Sequence, residues 1–91
     1  MLPLITTGSQ GPWVKYCQNL LNARLIGQQA LWVDGQFGFK TEFAVRGFQG
    51  MRFLKIDGKV GDETWAALEL GPPPINQRPP PDDIETHGGG V

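Results

Sequence analysis

A twelve-residue pattern occurs twice in this chain, 23 residues apart, and it constrains the fold more than any other feature. Asp34-Gly35-Gln36-Phe37-Gly38-Phe39-Lys40-Thr41-Glu42-Phe43-Ala44-Val45 aligns with Asp57-Gly58-Lys59-Val60-Gly61-Asp62-Glu63-Thr64-Trp65-Ala66-Ala67-Leu68. Asp, Gly, an apolar residue, Gly, Thr, Ala and a second apolar residue fall in register. Each copy reads as a tight turn running into a helix. The Asp accepts hydrogen bonds from its own turn, and the Gly after it supplies a positive φ. Phe37 or Val60 tucks the loop against a core, and Gly38 or Gly61 lets the chain turn into the helix. Thr41 and Thr64, in the first helical turn, can satisfy backbone groups that lack helical partners. These same Asp, Gly and Thr residues can also be no more than turn chemistry, local to each joint.

The remaining apolar spacing supplies three helices. From Trp13, apolar residues recur as Val14, Cys17, Leu20, Leu21 and Leu25, one face of a helix that Pro12 opens and Gly27 ends. A second helix is predicted from Phe39 or Lys40 to Met51, with Phe43, Ala44, Val45, Phe48 and Met51 as its periodic run. Gly47 is expected to permit close helix packing, and Gly50 to mark fraying. A third runs from about Asp62 to Leu70, with Trp65 and Leu68 inward and Asp62 and Glu63 at the positive helix end. Gly71 and Pro72 stop it. The expected fold is all-α: a compact three-helix bundle over residues 1–71 with two repeated loop-helix units. A Pro/Gly-rich disordered tail is expected over residues 72–91, which hold six of the eight prolines.

Charge and composition remove several functions. Residues 1–71 carry seven Lys/Arg against six Asp/Glu, with no basic stripe, so no nucleic-acid partner is expected. No run is long enough to span a membrane, and no membrane partner is expected. The N-terminus lacks the basic and apolar regions of a signal peptide. The sole histidine, His87, lies in the tail, and the sole cysteine, Cys17, lies on an apolar helix face. A nucleophile therefore has no base within reach. No catalytic residue, metal site or cofactor is expected, and the chain reads as a non-enzyme.

The run Gly11-x-x-Val14-x-x-Cys17-Gln18-x-x-Leu21 precedes Asp34-Gly35-x-Phe37-Gly38-x-x-Thr41-x-x-Ala44-Val45-x-x-Phe48-Gln49. Asp57-Gly58-x-Val60-Gly61-x-x-Thr64-Trp65-x-x-Leu68 follows. Together, over about residues 5–70, these resemble the peptidoglycan-binding domain family, the three-helix module attached to many cell-wall hydrolases and phage endolysins. Cys17 departs from the pattern, which usually has Leu before the Gln. The resemblance implies non-catalytic recognition of the glycan and stem peptide of peptidoglycan in a shallow groove, targeting a partner or an assembly to the wall. The alternative is a protein–protein adaptor of a phage or secretion assembly that keeps the fold without glycan binding. A wall hydrolase or assembly protein docking on the 72–91 tail is a further expected partner. Such a protein is made in the cytoplasm and acts at the cell wall or periplasm after lysis or export by a machine.

A saccharide–peptide ligand needs flat aromatic surface and fixed polar groups. Trp32, beside the first repeat loop, either offers that surface or covers a thin core; its position leaves both open. Phe39 stands where the other copy has Asp62, so it need not be core. Arg46, off the apolar face of the second helix, is a candidate for a stem-peptide carboxylate. Asp34, Gln36, Lys40, Asp57 and Lys59 complete the candidate ligand-binding set. Trp65 and Phe37 are expected in the core. Gln18 and Gln49 are expected to be buried and bonded to loop backbone.

Overall fold

The computed structural model describes residues 2–25 and 30–71. Among them run three helices, α1 (Pro12–Arg24), α2 (Phe39–Met51) and α3 (Asp62–Leu68), and the fold is a compact all-α bundle. The expected stop at Gly27 and the expected tail over residues 72–91, with His87, lie outside the described residues. Pro12 occupies the first turn of α1, and Asp62 and Glu63 the first turn of α3. The third helix stops at Leu68 rather than Leu70; Arg24 donates from Nε to the Leu68 carbonyl at 2.7 Å and caps the end from the side.

The central element is α1. It packs on both other helices and buries Trp13, Val14, Tyr16, Cys17, Gln18, Leu20 and Leu21. A helix flanked on two sides buries more than one stripe, so Trp13 and Tyr16, absent from the predicted face, join the core. Their rings and that of Trp65 form a cluster with centroids 5.8–5.9 Å apart, Tyr16 stacked on Trp65 and Trp13 edge-on to both. Phe37 and Trp65 are buried as expected, with Val45, Phe48, Val60 and Leu68 beside them. Phe43 and Met51 are not: both are exposed, because α2 turns Val45, Phe48, Thr41 and Gln49 inward and leaves a second apolar stripe outside.

The two repeat units share turn dihedrals as they share sequence. Gly35 and Gly58 take φ of 77° and 74°, the left-handed region that the turn requires. Gly38 and Gly61, preceding α2 and α3, have φ/ψ of −105°/−163° and −103°/−162°. That is ordinary extended backbone, so the conformational freedom expected of these two glycines is not used. Phe37 and Val60 are each paired with the N-terminal segment. Ile5 exchanges two backbone hydrogen bonds with Val60, while Phe37 accepts from Gly8 and donates to Ser9. Gly11 donates to the Gly35 carbonyl, and the Trp65 indole donates to the Pro3 carbonyl at 2.6 Å. Residues 3–11 therefore cross both repeat loops, a role invisible in their composition.

Candidate ligand-binding groove

Each loop is held by a glutamine from the helix before it. Gln18 Nε2 lies 3.0 Å from Asp34 Oδ1, 3.1 Å from the Gln36 carbonyl and 3.1 Å from Thr41 Oγ1, while its Oε1 accepts from Gly35 N–H at 3.0 Å. Gln49 repeats the set with Asp57, the Lys59 carbonyl and Thr64, and its Oε1 accepts from the Asp57 and Gly58 amides. The threonines thus receive a buried amide rather than capping their helices; neither α2 nor α3 has a side-chain cap. The carboxylates are held below their usual value. For Asp34 the main cause is the Gln36 backbone N–H, then the Gln18 amide; for Asp57 it is the Lys59 backbone N–H, then the Gln49 amide.

The two joints differ in one dimension. Gln18 precedes its Asp by 16 residues, Gln49 by only 8. The longer first connector lets α1 continue past Gln18 and brings residues 30–33 alongside α2. Asn22 fixes this connector with two hydrogen bonds, Nδ2 to the Leu31 carbonyl at 3.0 Å and Oδ1 from the Leu31 N–H at 2.7 Å. Between connector and helix lies an open groove of about 1200 Å³, lined on its apolar side by Leu31, Trp32, Phe39, Phe43, Ala44 and Met51. Gly47 forms part of its wall, and a Cβ there would meet nothing within 4 Å. The close helix packing expected at Gly47 is therefore absent; the glycine opens the groove instead.

Five of the eight candidate residues meet here: Trp32, Asp34, Gln36, Phe39 and Lys40 all line the groove. Trp32 is 82% exposed and Phe39 78%, which resolves the open choice for Trp32 in favour of a presented ring over a core cover. The other three lie elsewhere. Arg46 Nε pairs with Glu42 Oε2 at 3.0 Å, and that pair sits against Gly58. Thr7 donates to the other Glu42 oxygen, and Glu42 is held below its usual pKa, first by Arg46 and then by Thr7. Asp57 and Lys59 belong to the second joint, whose short connector raises no facing wall.

Sequence reasoning missed Phe43, Gly47, Met51 and Asn22. The signal was present in the repeat itself. Phe39 and Phe43 occupy the positions of Asp62 and Ala66 in the other copy, and Ala66 is exposed. Large apolar residues at positions that are polar or small in the sister unit mark surface put to another use.

Residues 10–68 match the model of a family described as putative peptidoglycan binding domain. An uncharacterized protein in the bpoA1 3′ region of Kitasatospora aureofaciens is 41% identical over 68 residues, covering 74% of this chain and 56% of that protein. The chain thus spans little more than half the length of that curated relative. Among solved structures, the SleB N-terminal domain superposes with a TM-score of 0.67 at 35% identity, over 72% of this chain and 88% of that one. The Burkholderia AP3 phage endolysin gives a TM-score of 0.69 at 33% identity, over 80% of this chain and 27% of the endolysin.

Proposed function

The chain belongs to the peptidoglycan-binding domain family, and from that premise we propose that it binds the bacterial cell wall through the groove between the 30–33 connector and α2. The carrying observation is the exposure of the Trp32 and Phe39 rings beside Asp34, Gln36 and Lys40 in one groove. Sugar rings present apolar C–H faces that pack on aromatic planes, while amides and carboxylates of a stem peptide need fixed donors and acceptors. Lys40 supplies a cation for a stem-peptide carboxylate. Asp34, already committed to Gln18 and the Gln36 amide, keeps acceptor capacity for a peptide N–H. The module contributes affinity and leaves bond cleavage to a partner, which it brings to the wall.

Co-sedimentation with purified peptidoglycan sacculi tests this reading. Saturable pelleting of the full chain is expected, weakened about tenfold or more by Trp32→Ala, since stacked aromatic anchors dominate such contacts. Arg46→Ala, outside the groove, is the comparison and is expected to pellet like the parent. Folded protein that stays in the supernatant across pH and salt would sink the proposal.

A further inference from the structure

A second surface begins where α2 ends. Phe53 has φ of 61° and is 96% exposed. An aromatic L-residue in the left-handed region is uncommon, because its Cβ crowds the following carbonyl. The position itself is a helix terminator: Leu54 N–H reaches back to the Gln49 carbonyl at 2.8 Å and Phe53 N–H to the Gly50 carbonyl at 3.2 Å. Glycine is the residue such a terminator favours. Phe53 is strained in backbone, and so little of its surface is covered that core packing does not account for it. The segment that presents it is firmly held, since Gln49 also binds the Asp57 and Gly58 amides a few residues on.

Phe53 is not isolated. Met51, which also stands at the near end of the groove, and Ile56 are each more than half exposed. Cations alternate with these apolar side chains along Met51-Arg52-Phe53-Leu54-Lys55-Ile56, and Lys59 follows. Residues 51–59 hold Arg52, Lys55 and Lys59 against Asp57, a net +2, whereas the remaining charges of residues 1–71 leave −1. The positive charge of the domain is concentrated at the place where its most exposed aromatic stands. Among the described residues, none of these three cations is in an ion pair; Arg52 lies over the Phe48 ring, 5.7 Å from its centroid.

We propose that the 51–59 corner docks on an anionic lipid surface, with Phe53, Met51 and Ile56 entering the interface and Arg52, Lys55 and Lys59 meeting lipid phosphates. A soluble polyanion would be met by the cations alone and leaves the three apolar side chains without a role; a bilayer boundary satisfies both. The contact is interfacial: no helix among the described residues is long and apolar enough to cross a membrane. This departs from the sequence-based expectation of no membrane partner, which rested on the lack of a run long enough to span.

The test is sedimentation of the full chain at low salt with vesicles of phosphatidylglycerol and phosphatidylcholine, against phosphatidylcholine alone. Partition onto the anionic vesicles is expected to be about tenfold or more higher, and to fall steeply with salt. Phe53→Gly is the decisive variant, because it relieves the left-handed strain and raises the melting temperature while removing the ring. It is expected to lose about tenfold in vesicle partition and to keep its binding to sacculi, which separates this corner from the groove. Lys55→Gln with Lys59→Gln is expected to abolish the preference for anionic lipid. Equal partition onto both vesicle types, or unchanged partition of Phe53→Gly, would overturn the proposal. Equally damaging would be binding to soluble polyphosphate that matches vesicle binding and is indifferent to Phe53.

Discussion

Gln18 and Gln49 occupy equivalent places in the two repeat units: each inserts a buried side-chain amide into the loop that follows, with Nε2 3.0 Å from the carboxylate of Asp34 or Asp57. Truncating either to Ala leaves a buried backbone N–H and a buried threonine hydroxyl without their partner. Each variant is expected to lose about 3 kcal/mol of stability, from several small penalties at one site. Chemical denaturation checks this. Because the two sites are in different loops, the double variant is expected to show nearly additive losses.

The groove can be closed without harming the fold. Gly47 sits in helical backbone with open space where a side chain would go. Gly47→Leu is expected to gain roughly 0.5–1 kcal/mol from helix propensity, and to lose sacculus binding through occupation of the groove. A melting curve beside a pelleting assay reads both. Retained binding in this more stable variant would place the ligand elsewhere.

Acid is expected to destabilise the domain through Asp34 and Asp57. Both carboxyls are held below their unfolded values, so the unfolded chain takes up protons first as the pH falls. Their contribution is complete above the ordinary carboxylate range and is lost as the pH drops through the folded values. Thermal melts in steps from pH 6 downward should stay level and then decline. Asp57→Asn, which keeps an acceptor oxygen for the Lys59 N–H and the Gln49 amide, should make that decline shallower.

Cys17 governs the opposite limb. Burial pushes its thiol from 9.0 up to about 12. Above pH 9 the unfolded chain releases a proton that the folded chain retains, so stability is expected to fall from there toward pH 12. Thiol labelling at pH 8 is expected to follow the rate of global unfolding and to become immediate in denaturant. Prompt labelling of the native protein would show that the α1 core opens locally.

The sequence revealed the joints better than the faces. Asp34-Gly35 and Asp57-Gly58 were legible because turn chemistry is local, and Gln18 and Gln49 followed from their place in the motif. Helix ends came within a residue or two for the same reason. The faces of α2 were harder, because it carries two apolar stripes. Periodicity alone could not say which of Phe43 and Phe48 turns inward; packing against α1 decides that. Trp13 and Tyr16 were missed because a helix enclosed from two sides departs from single-stripe spacing. The groove depended on a length, the distance from Gln18 to Asp34, which matters only once Gln49 and Asp57 show what the shorter version looks like. The crossing made by the N-terminal residues was not legible, since most of its contacts with the two loops are backbone hydrogen bonds, which leave little mark on side-chain pattern.

The unequal connectors divide labour between two copies of one device. The second joint, with its short link, raises no wall toward its helix and instead presents Phe53. The first carries the same scaffold plus residues 30–33, anchored by Asn22 through Leu31, where Ala30 and Trp32 are exposed while Leu31 packs against the core. Exchanging the exposed side chains of Ala30 and Trp32 alters the wall facing α2 while both glutamine clasps, the aromatic cluster and the N-terminal crossing stay as they are. If the groove holds the ligand as proposed, its preference can be altered at these two positions at little cost to the fold.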